Sequence, residues 1–202
     1  MGNLKTESLK ACGVALRAHN FTKRRGVFLQ PGSSPAVTGW LGLNLAAWGL
    51  PAKLQINPVV GVRHVSVENA LVELAGWPPP VASVSRPVGY LLPQKTFAQW
   101  DFPADGNLTA IAEDLANAVA TYGQSFIDKW SDWETFATEL DSSGLLVDTE
   151  KFIVMPIVLA IGGDRRRAES LIRQELDRIG DASDVYSISY REFAKKFAAT
   201  DF

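Results

Sequence analysis

Trp100-Asp101-Phe102-Pro103-Ala104-Asp105-Gly106-Asn107-Leu108-Thr109-Ala110-Ile111 marks the point at which the hydrophobic period of this 202-residue chain changes. After residue 106 the apolar positions recur about every 3.6 residues instead of every second one. Leu108, Ile111, Leu115, Val119 and Tyr122 then form one stripe, with Glu113, Asp114 and Asn117 off it and Gly123 as the expected C-cap. Upstream, Val37, Gly39, Leu41, Leu43 and Leu45 alternate along a strand from Val37 to Trp48. Lys53 to His64 alternates as well, and Pro58 inside it suggests an edge strand or a bulge. Phe21 to Gln30 reads as a strand entered through a basic turn and broken by Pro31-Gly32-Ser33-Ser34-Pro35. Arg86–Leu92 offers a fourth strand and Phe97–Phe102 a fifth.

Helices complete the pattern. One is expected over about Glu7–Ala18, where Leu9, Cys12 and Leu16 recur at helical spacing and Asn20 is the stop. Another spans Val65–Ala75 with Ser66 as N-cap. Beyond Gly123, Ser125/Asp128 and Ser131/Glu134 resemble capping boxes, so a short Phe126–Trp130 piece and a fresh helix Asp132–Leu140 are predicted. Thr149–Ile161 is apolar on almost every side and should be a buried helix, with a kink or late start at Pro156. Asp164 should cap a helix Arg165–Ile179 that Gly180 ends, and Ser189/Glu192 should box a last helix Tyr190–Ala199. Val185–Ser189 reads as strand or helix alike.

This order predicts an α+β fold: an N-terminal helix, a three- to five-stranded, mainly antiparallel sheet, and a helical C-terminal half packed on one face. We place an α+β domain at 1–146 and a helical extension at 147–202, packed as one unit. Six Trp and ten Phe supply a core without staples. The single Cys12 falls in a helix and is expected to be a small buried hydrophobe in a reducing compartment. No apolar run follows a basic start, and Phe152–Ile161 has about half the length that spans a bilayer. A cytoplasmic protein without membrane contact is the expectation.

Charge is sorted by half. Residues 1–100 carry ten Lys/Arg against Glu7, Glu68 and Glu73, whereas residues 101–202 carry ten against nineteen acids. Two opposite fields underlie a net charge of only −2, and such fields steer partners. Catalytic signatures are missing. Two histidines and one cysteine cannot build a Cys/His zinc site, and no phosphate loop, dinucleotide fingerprint, hydrolase elbow or H-E-x-x-H is present. No metal or cofactor is therefore expected.

Three sets of residues remain as candidate sites. Asp128, Asp132, Glu134 and Glu139 flank Trp130 and Trp133; an exposed Trp ringed by carboxylates suits a protein partner with a basic surface. Arg17, Lys23, Arg24 and Arg25, helped by Lys10 and Lys53, form a cluster that suits nucleic acid unless the acidic half neutralises it. Arg63-His64 at a strand end has the residue types of an enzyme site, His64 as general base, but lacks an orienting carboxylate by spacing. Arg165-Arg166-Arg167 opposes the dipole of its own helix and calls either for compensating carboxylates nearby or for an anion at the loop Gly162-Gly163-Asp164.

The N-terminal helix running into Phe21-Thr22-Lys23-Arg24-Arg25 with Phe28 behind it, the strands around Trp40–Leu45 and Leu54–Ile56, and Tyr122-Gly123 leading to Phe126–Trp133 together resemble a bacterial domain-of-unknown-function family. Its members are small stand-alone α+β proteins. The resemblance covers about residues 5–140 through structural motifs, and the chain after Leu146 lies outside it. The family carries no agreed activity, so no catalytic role transfers from it; the resemblance implies an immunity-factor role because some such proteins accompany toxins. The leading expectation is therefore a non-catalytic, immunity- or antitoxin-like inhibitor using the acidic helices. The nucleic-acid and enzyme readings follow in that order.

Overall fold

The computed structural model describes residues 2–32, 34–48 and 53–202. It has the expected α+β composition, and the chain forms two compact units, Met1–Val62 with Val84–Ser131, and Arg63–Ser83 with Asp132–Phe202. The chain therefore crosses between units at 62/63, 83/84 and 131/132, not once at 146/147.

The first unit opens with α1 (Gly2–Arg17), which buries Ser8, Cys12 and Leu16 at four-residue spacing. A Schellman motif ends it: Phe21 N–H donates to Leu16 O at 3.1 Å, with Asn20 in the left-handed region at φ 65°. The expected single strand Phe21–Gln30 is a hairpin instead, β1 (Thr22–Arg24) and β2 (Val27–Pro31), joined by Arg25-Gly26. Both turn residues have positive φ, 45° and 92°, which is the handedness that matches strand twist. Of the break that follows, Ser33 lies outside the described residues.

The sheet continues with β3 (Val37–Trp48), β4 (Lys53–His64), β5 (Val84–Pro87) and β6 (Trp100–Pro103). Its order is β1-β2-β3-β4-β5, with β6 also on β4. Pro58 does not make β4 an edge. It falls between Lys53–Ile56, which pair with β6, and Val59–Val62, which pair with β5, so the missing N–H sits where the neighbour changes. The predicted strand Arg86–Leu92 stops early because a 3₁₀ turn begins at Val88, and the predicted Phe97–Phe102 starts only at Trp100.

Helix α3 (Leu108–Ala118) packs along α1 and buries Ala112, Leu115 and Ala116. Gly123 does not cap it. A π-helical turn, Val119–Gly123, carries the chain straight into α4 (Gln124–Ser131), so the Ser125/Asp128 box does not form. Gly123 serves close approach instead: a Cβ there would lie 2.8 Å from Cγ1 of Val60 on β4.

The second unit contains α2 (Val65–Ala75), α5 (Trp133–Glu139), α6 (Asp148–Ile161), α7 (Arg165–Ile179) and α8 (Val185–Ala198). His64, not Ser66, precedes the first turn of α2, and no side chain caps it. Asp132 caps α5, accepting from Thr135 N–H at 2.8 Å, which displaces the expected Ser131/Glu134 box by one residue. Helix α6 starts at Asp148, well before Pro156, and Val154–Ala160 are all buried. Asp164 caps α7 as expected, accepting from Arg167 N–H at 3.1 Å. Asp184 caps α8 through Ser187, so the ambiguous Val185–Ser189 is helical and the Ser189/Glu192 box is interior helix.

Candidate functional site

Cations gather at the free edge of the first unit. In an antiparallel ladder, directly paired residues project to the same face. Lys23 pairs with Phe28, and the Phe28 ring lies 3.7 Å from where a Cβ on Gly13 of α1 would stand. Lys23 therefore faces α1, and a groove of about 600 Å³ opens between helix and hairpin. Lys10 and Arg17 of α1 line it with Lys23, over a floor that includes Leu9, Phe21 and Phe28. Arg24 pairs with Val27 and points to the opposite face, into a second concavity of about 470 Å³ shared with Thr22, Leu29 and Thr38. Arg25 stands at the tip.

Thus Arg17 and Lys23 are brought together, Lys10 joins them, and Arg24 and Arg25 cover the other face and the end of the same hairpin. Lys53 does not contribute, because its ammonium binds Asp101 at 2.8 Å. That carboxyl is held below its ordinary value by Lys53 first and Gln55 second. Lys10, Arg17, Lys23, Arg24 and Arg25 are all exposed, and none makes an ion pair among the described residues.

The six acidic-surface residues do not share one unit: Asp128 and Trp130 lie on α4 in the first, and Asp132, Trp133, Glu134 and Glu139 lie in the second. Trp130 is only 4% exposed, with the Lys129 ammonium 5.0 Å from its ring centre, so it cannot anchor a partner. Trp133 is half-buried between exposed Asp132 and Glu134. Its ring meets His64 edge-on at 5.4 Å and Phe136 at 5.7 Å. The Thr135 N–H bond holds the Asp132 carboxyl below its usual range.

Arg63 is engaged by Glu68, its Nε donating to Oε1 at 3.0 Å and Nη2 bonding Oε2, while Val81 N–H reaches the same carboxylate at 2.8 Å. His64 is 2% exposed and lies 4.3 Å from the Phe136 ring, so it packs in an aromatic cluster. A general base must reach its substrate, and this imidazole is enclosed. Burial pushes the Cys12 thiol up to about 12, which keeps it protonated and inert. Among the described residues no group of His, Cys, Asp or Glu has a metal-binding arrangement, and no helix is long and apolar enough to cross a membrane.

The chain matches no protein-family model, no curated protein and no solved structure. Lys10 and Lys53 stood alike in the sequence as helpers of this cluster; Lys10 joins it and Lys53 does not, a distinction set by where α1 lies against the hairpin and by Asp101.

Proposed function

We propose that the protein is a cytoplasmic, macromolecule-binding protein whose contact surface is the α1–hairpin edge and whose partner is a nucleic acid. One observation carries this reading: five exposed cations surround a single two-stranded hairpin with no carboxylate paired to them among the described residues. Cations along α1, on both sides of the sheet edge and at its tip suit a polyanion lying along that edge. Arg25 adds weight. Its turn position has φ 45°, where Asn or Gly is favoured, so a cation is kept there at a conformational cost. Phe21 and Phe28 are 1% and 2% exposed, so neither offers a stacking face, and binding through phosphates carries little sequence preference.

A second reading has its own support. Trp133, half-buried between exposed Asp132 and Glu134, suits a protein with a basic surface, and the family resemblance favours the immunity-like version of it.

The experiment is fluorescence anisotropy of a labelled mixed-sequence duplex against the full chain across a salt series. We expect log K to fall with log salt at a slope of about −3 to −5, as about five phosphate contacts require. Lys23→Glu with Arg24→Glu should weaken binding at least tenfold, and Asp132→Asn with Glu134→Gln should not. A salt-independent signal, or equal loss in both variants, rejects the nucleic-acid reading. A low-salt pull-down with Asp128, Asp132, Glu134 and Glu139 neutralised then tests the acidic one.

A further inference from the structure

Helices α7 and α8 run back along each other and leave a groove of about 480 Å³ between them. Ile172, Arg173 and Leu176 face it from α7, and Ala194, Lys195 and Ala198 from α8. On each helix these positions follow the three- and four-residue steps of one helical face, so two parallel seams flank the opening. Arginine clamps fix both ends. Arg165 donates to Thr200 O at 2.7 Å and Phe197 O at 3.0 Å, bonds Glu169 at 2.9 Å, and stacks 4.6 Å from the Phe197 ring. Arg191 donates to Gly180 O at 2.8 Å and Ala182 O at 2.5 Å in the connecting loop. The groove is therefore pre-formed, which lowers the ordering cost of any ligand.

Its rim carries one sign of available charge. Glu169 is committed to Arg165, whereas exposed Arg173 and Lys195 make no ion pair among the described residues. We infer that the α7–α8 groove docks an acidic amphipathic helix of a partner protein. Its apolar stripe would lie over Ile172, Leu176 and the small Ala194 and Ala198, with carboxylates reaching Arg173 and Lys195. This is helix-in-groove recognition with charge complementarity setting the partner's class. A nucleic acid fits less well, because the apolar floor has no role in binding phosphates.

The probe is a fluorescein-labelled helical peptide with Leu at i, i+3, i+4 and i+7 and Glu on both flanks, beside a twin carrying Lys for each Glu. Both are titrated into the full chain. The acidic peptide should bind at least tenfold more tightly than the twin. Arg173→Glu with Lys195→Glu, both exposed and so compatible with folding, should reverse that preference. Ala198→Trp, also at an exposed position, should block both peptides while leaving duplex binding at the α1–hairpin edge unchanged. Equal affinity for the twins, indifference to charge reversal, or displacement by the duplex overturns the inference. So does uptake of laurate in place of the peptide, or a groove-dependent dimer of this chain.

Discussion

The Tyr190 hydroxyl donates to the Phe152 carbonyl oxygen at 3.1 Å, and Phe152 stands four residues before Pro156. Pro156 has no N–H to give that carbonyl, and an unsatisfied buried acceptor costs about 1–3 kcal/mol. Tyr190 on α8 supplies the missing donor, so a proline is tolerated within buried α6. Tyr190→Phe should therefore cost about 1–3 kcal/mol in denaturant unfolding. In a Pro156→Ala background the helix regains its own donor, and the same change should cost less. Equal losses in both backgrounds would show that the hydroxyl does not act through the proline.

Gly123→Ala should destabilise the first unit by about 1–3 kcal/mol, the range for overpacking. The added Cβ would meet Val60 Cγ1 at 2.8 Å, and a β-branched side chain has little rotamer freedom with which to yield. Combining it with Val60→Ala should recover part of the loss, measured as coupling in a double-mutant cycle. Strictly additive losses would place the strain elsewhere.

Glu175 is fully buried and receives Arg178 through two bonds of 2.6 and 2.5 Å and the Tyr186 hydroxyl at 2.6 Å. Arg178, then Tyr186, hold its carboxyl below the ordinary 4.5 despite its burial. A carboxyl lowered on folding contributes stability that is complete above its unfolded value and is lost as pH falls through the folded one. Glu175→Gln should cost about 1–3 kcal/mol at neutral pH, and the gap to wild type should close as pH is lowered below about 4. Urea melts at several pH values read this directly; a gap that stays constant on acidification would refute it.

Arg25→Asn should raise the melting temperature and weaken duplex binding together, because it relieves the turn while removing the tip cation. A purely structural Arg25 would give the first effect without the second.

The elements themselves were legible because burial writes a period into sequence. The spans of β3 and β4, the alternating first half of β4, Leu115 and Val119 in the helical stripe, and the Asp164 and Gly180 limits of α7 stand where the pattern puts them. The failures are local and have one kind of cause. Gly123 carries the mark of a helix end, yet its smallness is used against Val60, a residue 63 positions earlier in the chain. Arg25-Gly26 looks like a basic run inside a strand until positive φ at both residues folds it into a hairpin. Compensation of Arg165 comes from carbonyls of Phe197 and Thr200, and Arg167 meets Asp141 at 3.6 Å. The candidate site was half readable: the cations are plain in sequence, but which of them face α1 is set by strand register.

The chain enters the second unit at Arg63, leaves it at Ser83, and returns only at Asp132. On the ribosome this imposes an order in time. Helix α2 emerges early with Val67, Leu71 and Leu74 ready for burial, but the helices it packs against, α6 and α8, are not complete until residue 198. At synthesis rates of about 5–20 residues per second, its apolar face waits on the order of ten seconds for partners. A chain stalled or truncated before α8 would leave the part of that face which α6 does not cover exposed, which makes the last few turns of helix the step that completes its burial and releases the nascent protein from the need for a chaperone.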